Sequence, residues 1–332
     1  MKTIYNIVYA TDDTFAPVLG TSLLSLLRNN KEAEKINFFI LDSGISKENK
    51  FRIEKICDNF VNASLNWIKI ESISKKIGID VKNDRGSFSQ YSRLFIGDVL
   101  DNSVERVLYL DCDTLILSSL KDLWNIDLEG NIIAALKDAF SKYYRKNINL
   151  VNDDLMFNSG VMLIDLKAWR DNKIKEKVIS FIRQCHGKVQ QGDQGVLNSV
   201  LSNKTYALDP RYNLVSIFYD LNYREIKLYR SPVNFYSERV IEDAKKNPII
   251  LHFTSSFYSI RPWFKNSNHD YKTLWLKYYK KTPWKDRSLG LEKSKKKKII
   301  NILFNYGLKD TILFSAGFFQ KYLRPLKNKI MR

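Results

Sequence analysis

Two carboxylates near the middle of the chain have a spacing that suits shared chemistry. Asp111 and Asp113 flank Cys112 and directly follow an apolar run at residues 107–110, which predicts a short buried strand. Because residues i and i+2 of an extended chain face the same side, both acids are expected to converge at the strand's C-terminal edge. Converging carboxylates repel one another unless a cation lies between them, and a divalent ion that also holds a diphosphate satisfies both needs. The alternative is a polar turn with two solvated acids, since this spacing is common.

Three further sites could carry chemistry, each with a structural alternative. Asp12 follows the first predicted strand, where a carboxylate can accept hydrogen bonds from a uracil or a ribose, or can cap a helix. Asp193 and Gln194 begin a predicted helix, where an acid can bind substrate or can simply offset the helix dipole. His252 follows another apolar run and is one of three histidines, so it is either a metal ligand or a structural residue.

The elements that must position these residues follow from hydrophobic periodicity. Strands are predicted at residues 4–10, 36–41, 65–70, 107–110, 132–136 and 160–165, and helices at residues 16–29, 46–60, 88–100, 167–184 and 194–201. The first five elements alternate strand and helix, an order that predicts parallel strands joined by crossover helices. The predicted fold class is therefore α/β, with ligands bound at the carboxyl ends of the strands.

Composition excludes several classes of protein. The chain has 332 residues, of which 44% are hydrophobic, enough for a large core. It contains no run of roughly 20 apolar residues that would span a membrane, and its N-terminus resembles a first strand more than a signal peptide. The three cysteines are far apart, which predicts reduced thiols in a cytoplasmic protein without a disulfide framework.

The positive charge is concentrated at the C-terminus. Residues 285–332 contain thirteen Lys or Arg against three acidic residues, so they hold +10 of the net charge of +18. The remaining 284 residues are only mildly basic, which argues against a nucleic-acid groove in the main fold. We therefore divide the chain into a main domain at residues 1–284 and a basic amphipathic tail at residues 285–332.

The tail interleaves aromatic residues with lysines, a pattern typical of helices that lie on an anionic membrane surface. We expect Gly307 and Pro325 to divide it into short helices. The predicted location is the cytoplasm, peripheral on the inner face of the plasma membrane. A solvated lysine run followed by a helix packed on the main domain is the alternative, and a tail that binds nucleic acid is a weaker third interpretation.

Five ordered segments resemble a known family. They are YATDDTF at 9–15, VLYLDCDT at 107–114, FNSGVMLID at 157–165, QGDQGVLN at 191–198, and LHF at 251–253 followed by RPW at 261–263. The series resembles bacterial members of glycosyltransferase family 8, with glycogenin a more distant relative. That family contains retaining sugar-nucleotide transferases, among them lipopolysaccharide galactosyl- and glucosyltransferases. The resemblance implies a GT-A fold, a Rossmann-like mixed sheet with flanking helices, to which this chain adds its basic C-terminal tail.

The resemblance implies a donor and metal site. In the family, positions matching Ala10, Asp12 and Thr14 hold the uridine of a UDP-sugar, and the Asp111-Cys112-Asp113 motif binds the diphosphate side. Asp111, Asp113 and His252 are the implied ligands of Mn²⁺, with Mg²⁺ as a substitute. Two carboxylates and an imidazole suit that ion.

The resemblance also implies contacts with the donor sugar. The residues concerned are Arg93, Asp138, Asn158, Ser159, Asp193 and Gln194, and Arg93 either reaches the sugar or orders a carboxylate there. Gln194 lies under the anomeric carbon in the family, and an amide is a poor nucleophile. We therefore expect a front-face reaction, without a covalent intermediate, in which Gln194, Asp193 and Arg93 act as catalytic residues.

One segment departs from the family pattern. The loop after His252 lacks the family's glycine, is longer by two residues at 254–260, and carries Arg261 where the family has a lysine. An arginine can still neutralise a diphosphate, with a planar fork of donors in place of a point charge.

These observations predict a metal-dependent retaining hexosyltransferase. The expected donor is UDP-galactose or UDP-glucose, and the expected acceptor is a surface glycan such as lipopolysaccharide core, capsule or another lipid-linked sugar. A nucleotidyltransferase is one alternative, but it would need a Gly-rich loop bearing Lys or Arg after the first strand, and residues 10–17 contain neither Gly nor Lys. A catalytically silent binding protein of the same fold is the other, and the intact Asp111, Asp113 and His252 argue against it.

Overall fold

The structure is a computed structural model that describes residues 3–70, 77–79 and 89–330. In this part of the chain there are ten strands: β1 (Ile4–Thr11), β2 (Lys35–Asp42), β3 (Ala63–Lys69), β4 (Arg106–Leu110), β5 (Thr114–Ile116), β6 (Ile133–Lys137), β7 (Phe157–Asp165), β8 (Thr205–Ala207), β9 (Leu214–Val215) and β10 (Ile250–His252). The six predicted strands are present, with ends that shift by up to three residues. β5, β8, β9 and β10 were not predicted, because two or three residues are too few to show a period.

The helices of the described residues flank these strands. They are α1 (Ala16–Asn29), α2 (Lys47–Cys57), α3 (Ile96–Val99), α4 (Lys121–Trp124), α5 (Leu166–Asp171), α6 (Ile174–Gln184), α7 (Gly192–Leu201), α8 (Ser216–Asp220), α9 (Tyr223–Arg230), α10 (Glu238–Lys246), α11 (Lys272–Tyr279), α12 (Lys295–Asn305), α13 (Lys309–Phe318) and α14 (Arg324–Ile330). In α1 the leucines at 19, 23, 26 and 27 are fully buried, as their spacing predicts, and pack on the sheet.

The central sheet has seven strands in the order β3-β2-β1-β4-β7-β6-β8. β3, β2, β1 and β4 are parallel, whereas β7 runs antiparallel to both β4 and β6. The predicted α/β class with a mixed sheet is therefore confirmed. Because β7 runs the other way, its first residues lie at the same edge as the last residues of β1 and β4. That edge gathers the motifs of three separate chain segments.

A second sheet of three strands, in the order β5-β10-β9, carries the histidine. β10 pairs antiparallel with β5 so that His252 lies opposite Thr114, one residue after Asp113. β10 also pairs in parallel with β9, which places His252 beside Val215. This sheet brings residues from three distant parts of the chain to the end of β4.

Two predicted helices were wrong in part. The helix predicted at 88–100 is instead a 3₁₀ segment at Ser89–Phe95 followed by α3, and residue 88 lies outside the described residues. The helix predicted at 167–184 is two helices, because Lys173 adopts a left-handed conformation with φ 52° between α5 and α6. Neither irregularity changes the apolar period of the flanking residues, so the sequence pattern did not reveal it.

The C-terminal tail is helical and packs against the main domain. Gly307 has a φ of +98° and separates α12 from α13, which confirms the predicted break there. The break predicted at Pro325 was wrong. A π-helical segment, Phe319–Leu323, leads directly into α14, and Pro325 is accommodated in the first turn of that helix, where its missing N–H has little cost.

Two observations describe how the tail relates to the rest of the chain. Leu313 of α13 is fully buried, and the ring of Phe304 stacks on Tyr258 at 4.6 Å between centroids. Among the helices that the structure describes, none is long and apolar enough to cross a bilayer. The division of the chain near residue 285 stays a prediction.

Candidate active site

Three ligand atoms converge where β4 ends. Atoms of Asp111, Asp113 and His252 that could hold a metal ion all lie within 4.8 Å of one another. His252 Nε2 is 3.2 Å from Asp113 Oδ1 and 3.6 Å from Asp111 Oδ2. The predicted convergence of the two acids is present, but its cause is different. The chain turns after Asp111, whose carbonyl oxygen accepts a hydrogen bond from the Thr114 N–H at 3.2 Å, instead of continuing as an extended strand.

A chain of hydrogen bonds fixes the state of the His252 ring. The backbone N–H of Gly160 donates to Asn158 Oδ1 at 3.0 Å, and Asn213 Nδ2 donates to the same oxygen at 3.1 Å. Asn213 Oδ1 must then accept from His252 Nδ1, 2.9 Å away. The His252 Nδ1 atom therefore carries a proton, and Nε2 faces the two acids.

This arrangement fits a divalent metal ion. Two carboxylate oxygens and an imidazole nitrogen lie within 4.8 Å of one another, and a cation bound between them would offset the repulsion of the two carboxylates. Oxygen ligands with one imidazole suit Mn²⁺ or a similar ion. Sequence reasoning missed Asn213. This residue is fully buried, and its side-chain amide is hydrogen-bonded to Asn158 and His252.

Arg93 ties two of the predicted acids together. Its guanidinium is buried and contacts Asp111 Oδ1 at 2.7 Å and Asp193 Oδ2 at 3.0 Å. Burial alone would lower the pKa of Arg93, but these carboxylates and Tyr109 hold it above the ordinary value, so the side chain stays charged. It also donates to the backbone oxygen of Ser159 at 2.8 Å. Arg93 was expected either to reach the donor sugar or to order a carboxylate, and its ion pairs with Asp111 and Asp193 correspond to the second expectation.

Asp138, Asn158, Ser159 and Gln194 form a second polar group in the same pocket. Gln194 Nε2 donates to Asp138 Oδ2 at 3.1 Å, and the Ser159 backbone N–H donates to Gln194 Oε1 at 3.4 Å. Asn158 lies within 3.4 Å of both Asp138 and Gln194. The amide of Gln194 is thus held in one orientation. These residues come from β7, from the start of α7 and from the loop after β6, which the mixed sheet brings to one edge.

Gly160 lets the strand and the metal cluster approach closely. A Cβ at this position would lie 2.2 Å from His252 Cε1 and 2.6 Å from Asp111 Oδ2. Both distances are shorter than non-bonded atoms tolerate, so only glycine fits here. Its carbonyl oxygen also accepts the Asp111 N–H at 2.7 Å.

The residues expected to hold the nucleotide lie at the end of β1. Asp12 Oδ1 accepts hydrogen bonds from the N–H of Thr14 at 3.0 Å and from its hydroxyl at 2.6 Å, so this carboxylate caps a 3₁₀ turn. The Cys112 thiol donates to the Ala10 carbonyl at 3.3 Å and joins β1 to the turn between the two acids. Burial raises the pKa of the Cys112 thiol, so it stays neutral.

The pocket at the metal cluster and the Gln194 group has a volume of about 410 Å³, which suits a sugar-sized ligand, and Ala10, Asp12, Thr14 and Cys112 do not line it. Asp111, Asp113, Asp138, Asn158, Ser159, Asp193, Gln194, Arg93, His252 and Arg261 all line it. Arg261 lies 3.4 Å from Asp113 Oδ2. The lining residues that sequence reasoning missed include Arg230 and Phe140 of the main domain, and Gln320 and Arg324 of the tail. The positions of the last two depend on how the tail packs, which no local motif signals.

Several known proteins are similar to this chain in sequence. The profile described as Glycosyl transferase family 8 matches residues 6–267. General stress protein A of Bacillus subtilis is 30% identical over 284 residues, covering 85% of this chain and 95% of that protein. Lipopolysaccharide 1,2-glucosyltransferase of Escherichia coli is 26% identical, covering 85% of this chain and 80% of that protein.

The crystal structure of the galactosyltransferase LgtC in complex with donor and acceptor sugar analogs has the same fold. It superposes with a TM-score of 0.69 at 23% identity, over 85% of this chain and all of that chain. The sheet order and this likeness show a GT-A fold. The chain belongs to glycosyltransferase family 8, since the family profile covers most of its length. The expected enzyme class, a hexosyltransferase, is confirmed by the same comparisons.

Proposed function

We propose that this enzyme is a metal-dependent, retaining hexosyltransferase that moves galactose or glucose from UDP to a surface glycan. The observation that carries the proposal is the convergence of Asp111, Asp113 and His252 in one pocket with Asp138, Asp193 and Gln194. Relatives named as a lipopolysaccharide glucosyltransferase and a galactosyltransferase support a hexose donor and a glycan acceptor.

Different residues would bind the metal, the diphosphate and the uridine of the donor. Asp111, Asp113 and His252 would hold Mn²⁺ or Mg²⁺, which when bound neutralises the diphosphate and makes UDP a better leaving group. Arg261 is placed to neutralise the same diphosphate, and its 3.4 Å contact with Asp113 keeps it at the cluster. Ala10 is in β1, and Asp12 and Thr14 follow that strand, where the uridine would bind, while Cys112 between the two acids would lie on the diphosphate side.

The sugar end of the pocket favours a front-face reaction. Asp193 is held by Arg93 at 3.0 Å, so its carboxylate is not poised as a nucleophile. Gln194 carries an amide, which is a weak nucleophile, and its orientation is fixed by Asp138 and Ser159. We infer that the Gln194 amide and the nearby carboxylates stabilise the oxocarbenium-like transition state, and that the acceptor hydroxyl attacks the face that UDP leaves while its proton passes to a phosphate oxygen of the departing UDP.

The tail gives a reason to place the enzyme at a membrane surface. Phe314, Phe318 and Tyr322 are between 43% and 61% exposed although they lie on helices that also pack on the core. Lys327 and Lys329 are exposed shortly after them in the chain, and Lys293, Lys295 and Lys296 are exposed just before α12 and in its first turn. Exposed aromatic residues next to lysines suit an anionic lipid surface, where a lipid-linked acceptor would be found. The location proposed is the inner face of the plasma membrane.

The function is tested by donor hydrolysis and transfer. Purified enzyme is given UDP-glucose or UDP-galactose with Mn²⁺, with Mg²⁺ or with EDTA, and UDP release is measured. We expect metal-dependent release from one donor, and a transferred sugar that keeps the α configuration by NMR. Asp113→Asn should abolish metal-dependent UDP release. Asp171→Asn, which changes an exposed acid on α5, should leave this release unchanged. Metal-independent UDP release by the wild type, or a β-linked product, would contradict the proposal.

A further inference from the structure

Four arginines line the pocket, and they differ in their partners. Arg93 is neutralised by Asp111 and Asp193, and Arg261 lies 3.4 Å from Asp113. Within the described residues, Arg230 and Arg324 have no carboxylate oxygen within 4.0 Å of their guanidinium nitrogens. The pocket therefore contains two guanidinium groups whose charge the protein does not offset by an ion pair.

Arg230, the last residue of α9, is held by aromatic rings. Its guanidinium lies 4.5 Å from the ring centre of Tyr229 and 5.6 Å from that of Phe140. Its Nε atom is buried and has no hydrogen-bond partner. Ring faces orient a cation without using its N–H donors, so the donors of Arg230 stay available to a ligand in the pocket.

Arg324 is supplied by the tail and is fixed by contacts between the tail and the main domain. Its guanidinium donates to Gln320 Oε1 at 3.2 Å, and the same oxygen accepts the Tyr144 hydroxyl at 3.0 Å. The next residue, Pro325, accepts a hydrogen bond from Asn147 Nδ2 at 2.8 Å through its carbonyl oxygen. These bonds hold the start of α14 against the pocket wall, so the tail is part of the site.

The place of this pair in the pocket indicates which ligand it meets. Under the proposed function, the donor occupies the metal cluster and the group formed by Asp138, Asp193 and Gln194. Arg230 lies over Phe140, two residues after Asp138, and therefore beside the sugar end of the donor. The acceptor must approach that sugar from the remaining wall, which includes Arg230, Gln320 and Arg324 together with residues 215–217 and 254–258.

We propose that Arg230 and Arg324 bind an anionic group, a phosphate or a carboxylate, on the acceptor close to the hydroxyl that receives the sugar. This inference rests on the proposed function, because that function defines which end of the pocket the acceptor enters. Two guanidinium forks match the oxygens of a phosphate or a carboxylate. Their mutual repulsion in a half-buried pocket is relieved when such an anion binds. The acceptor class is thus a phosphorylated or acidic glycan, and the tail helps to select it.

The test compares sugars that differ only in charge. Full-length enzyme in EDTA is titrated with glucose, glucose 1-phosphate or glucuronate, and dissociation constants are measured by ligand-observed NMR. EDTA keeps the Asp111, Asp113 and His252 cluster free of metal, so a phosphate cannot bind there through a cation. We expect at least one anionic sugar to bind about tenfold more tightly than glucose, and the two anions to show which group is preferred.

Variants locate the anion site. Arg230→Gln and Arg324→Gln should each lower the affinity for the preferred anionic sugar by about tenfold relative to the affinity for glucose. Arg239→Gln changes an exposed arginine of α10, makes the same change in charge and should have no effect. If Arg230→Gln fails to fold, Arg324→Gln decides, because Arg324 is only partly buried.

The outcomes separate this inference from the proposed function. UDP binding by the wild type in Mn²⁺ is measured on the same preparation. If UDP binds but the anionic sugars bind no better than glucose, or if both variants keep the full preference, the inference is overturned and the donor assignment stands. If UDP does not bind while the preference for anions depends on both arginines, the donor assignment fails and the anion site remains.

Discussion

At the scale of single residues, the state of His252 decides whether it can hold a metal. An imidazole binds metal through the nitrogen that lacks a proton. The hydrogen-bond partner of the other nitrogen therefore determines which nitrogen can bind the metal. Asn213 accepts from His252 Nδ1 at 2.9 Å, and its own orientation is fixed through Asn158 by the Gly160 N–H. Asn213 is therefore a positioning residue that touches neither donor nor metal.

Replacement of Asn213 should weaken metal binding without removing any ligand. In Asn213→Ala, His252 loses its acceptor, and we expect the Mn²⁺ dissociation constant to rise by roughly 10- to 100-fold. Electron paramagnetic resonance measures free Mn²⁺, and ¹⁵N NMR of the imidazole reports loss of the single Nδ1-H tautomer. Asn30→Ala is the matched control, because Asn30 is equally buried and lies outside the pocket. Unchanged Mn²⁺ affinity in Asn213→Ala would show that the tautomer is fixed by other means.

At the scale of elements, β7 is the strand that closes the site. It runs antiparallel to β4, and Gly160 passes so close to the metal cluster that a side chain has no room. In the Asn-Ser-Gly sequence at 158–160, the Asn158 amide lines the pocket and the Ser159 backbone oxygen accepts a hydrogen bond from Arg93. Gly160 lies close to His252.

Gly160→Ala should disable the metal cluster. The added Cβ would lie 2.2 Å from His252 Cε1, so His252 or Asp111 must move. Metal-dependent UDP binding should be lost by calorimetry, and overpacking should lower the free energy of unfolding by about 1–3 kcal/mol. Gly290→Ala is the control, because a Cβ there meets nothing within 4 Å. Equal UDP binding by the two variants would mean that β7 adjusts freely, which contradicts the close packing.

A second element-scale prediction concerns the C-terminal end of α8. Burial is the main reason that the pKa of Asp220 is raised to about 7, and Asp270 nearby adds to it. The folded state then binds more protons than the unfolded state between pH 4 and 7, so the free energy of unfolding should fall as the pH rises through this window. A shift of this size corresponds to roughly 4 kcal/mol. The loss should be complete above the folded pKa.

The measurement is denaturant unfolding between pH 5 and pH 8. Asp220→Asn should remove most of this slope and should be more stable than the wild type at pH 8. Asp286→Asn, which changes an exposed acid, should keep the wild-type slope. If Asp220→Asn and the wild type lose stability in parallel as the pH rises, Asp220 is ionised in the folded protein and the assignment is wrong.

At the scale of the whole molecule, the tail has one face that packs on the core and another that is exposed to solvent. One face packs on the core through Leu313 and Phe304 and brings Arg324 to the pocket. The other face exposes Phe314, Phe318 and Tyr322, and the chain just before α12 and its first turn carry lysines. A protein that docked on a membrane through this second face would present its acceptor pocket close to the lipid.

Membrane docking predicts a specific dependence on charge and on apolar contact. We expect the enzyme to sediment with anionic phosphatidylglycerol vesicles, less so as salt is raised, because the attraction is screened within about 8–10 Å at physiological ionic strength. The triple variant Lys295→Gln, Lys296→Gln and Phe314→Ser should bind several-fold less. Lys31→Gln with Val61→Ser, which changes exposed residues far from the tail in sequence, should bind as the wild type does. Equal binding by the triple variant and the wild type would exclude this face of the tail.

The sequence by itself determined the elements and the motifs whose signals are local. Apolar periods located α1 and the six longer strands, and the order of the Asp111, Asn158, Asp193 and His252 segments indicated the family. Local signals failed where the chain turns within one or two residues. The acids of the Asp111 motif converge through a turn, and β5, β9 and β10 are too short to show a period.

Tertiary structure alone decided which distant residues meet. Asn213 reaches His252 only because β9 and β10 pair, and Arg324 reaches the pocket only because α13 and α14 pack on α9 and the wall around Tyr144. Such contacts join positions separated by 39 residues in the first case and by well over 100 in the second. Sequence periodicity reports which face of an element is buried but not which partner it meets, because burial is a property of each segment whereas pairing depends on the whole fold.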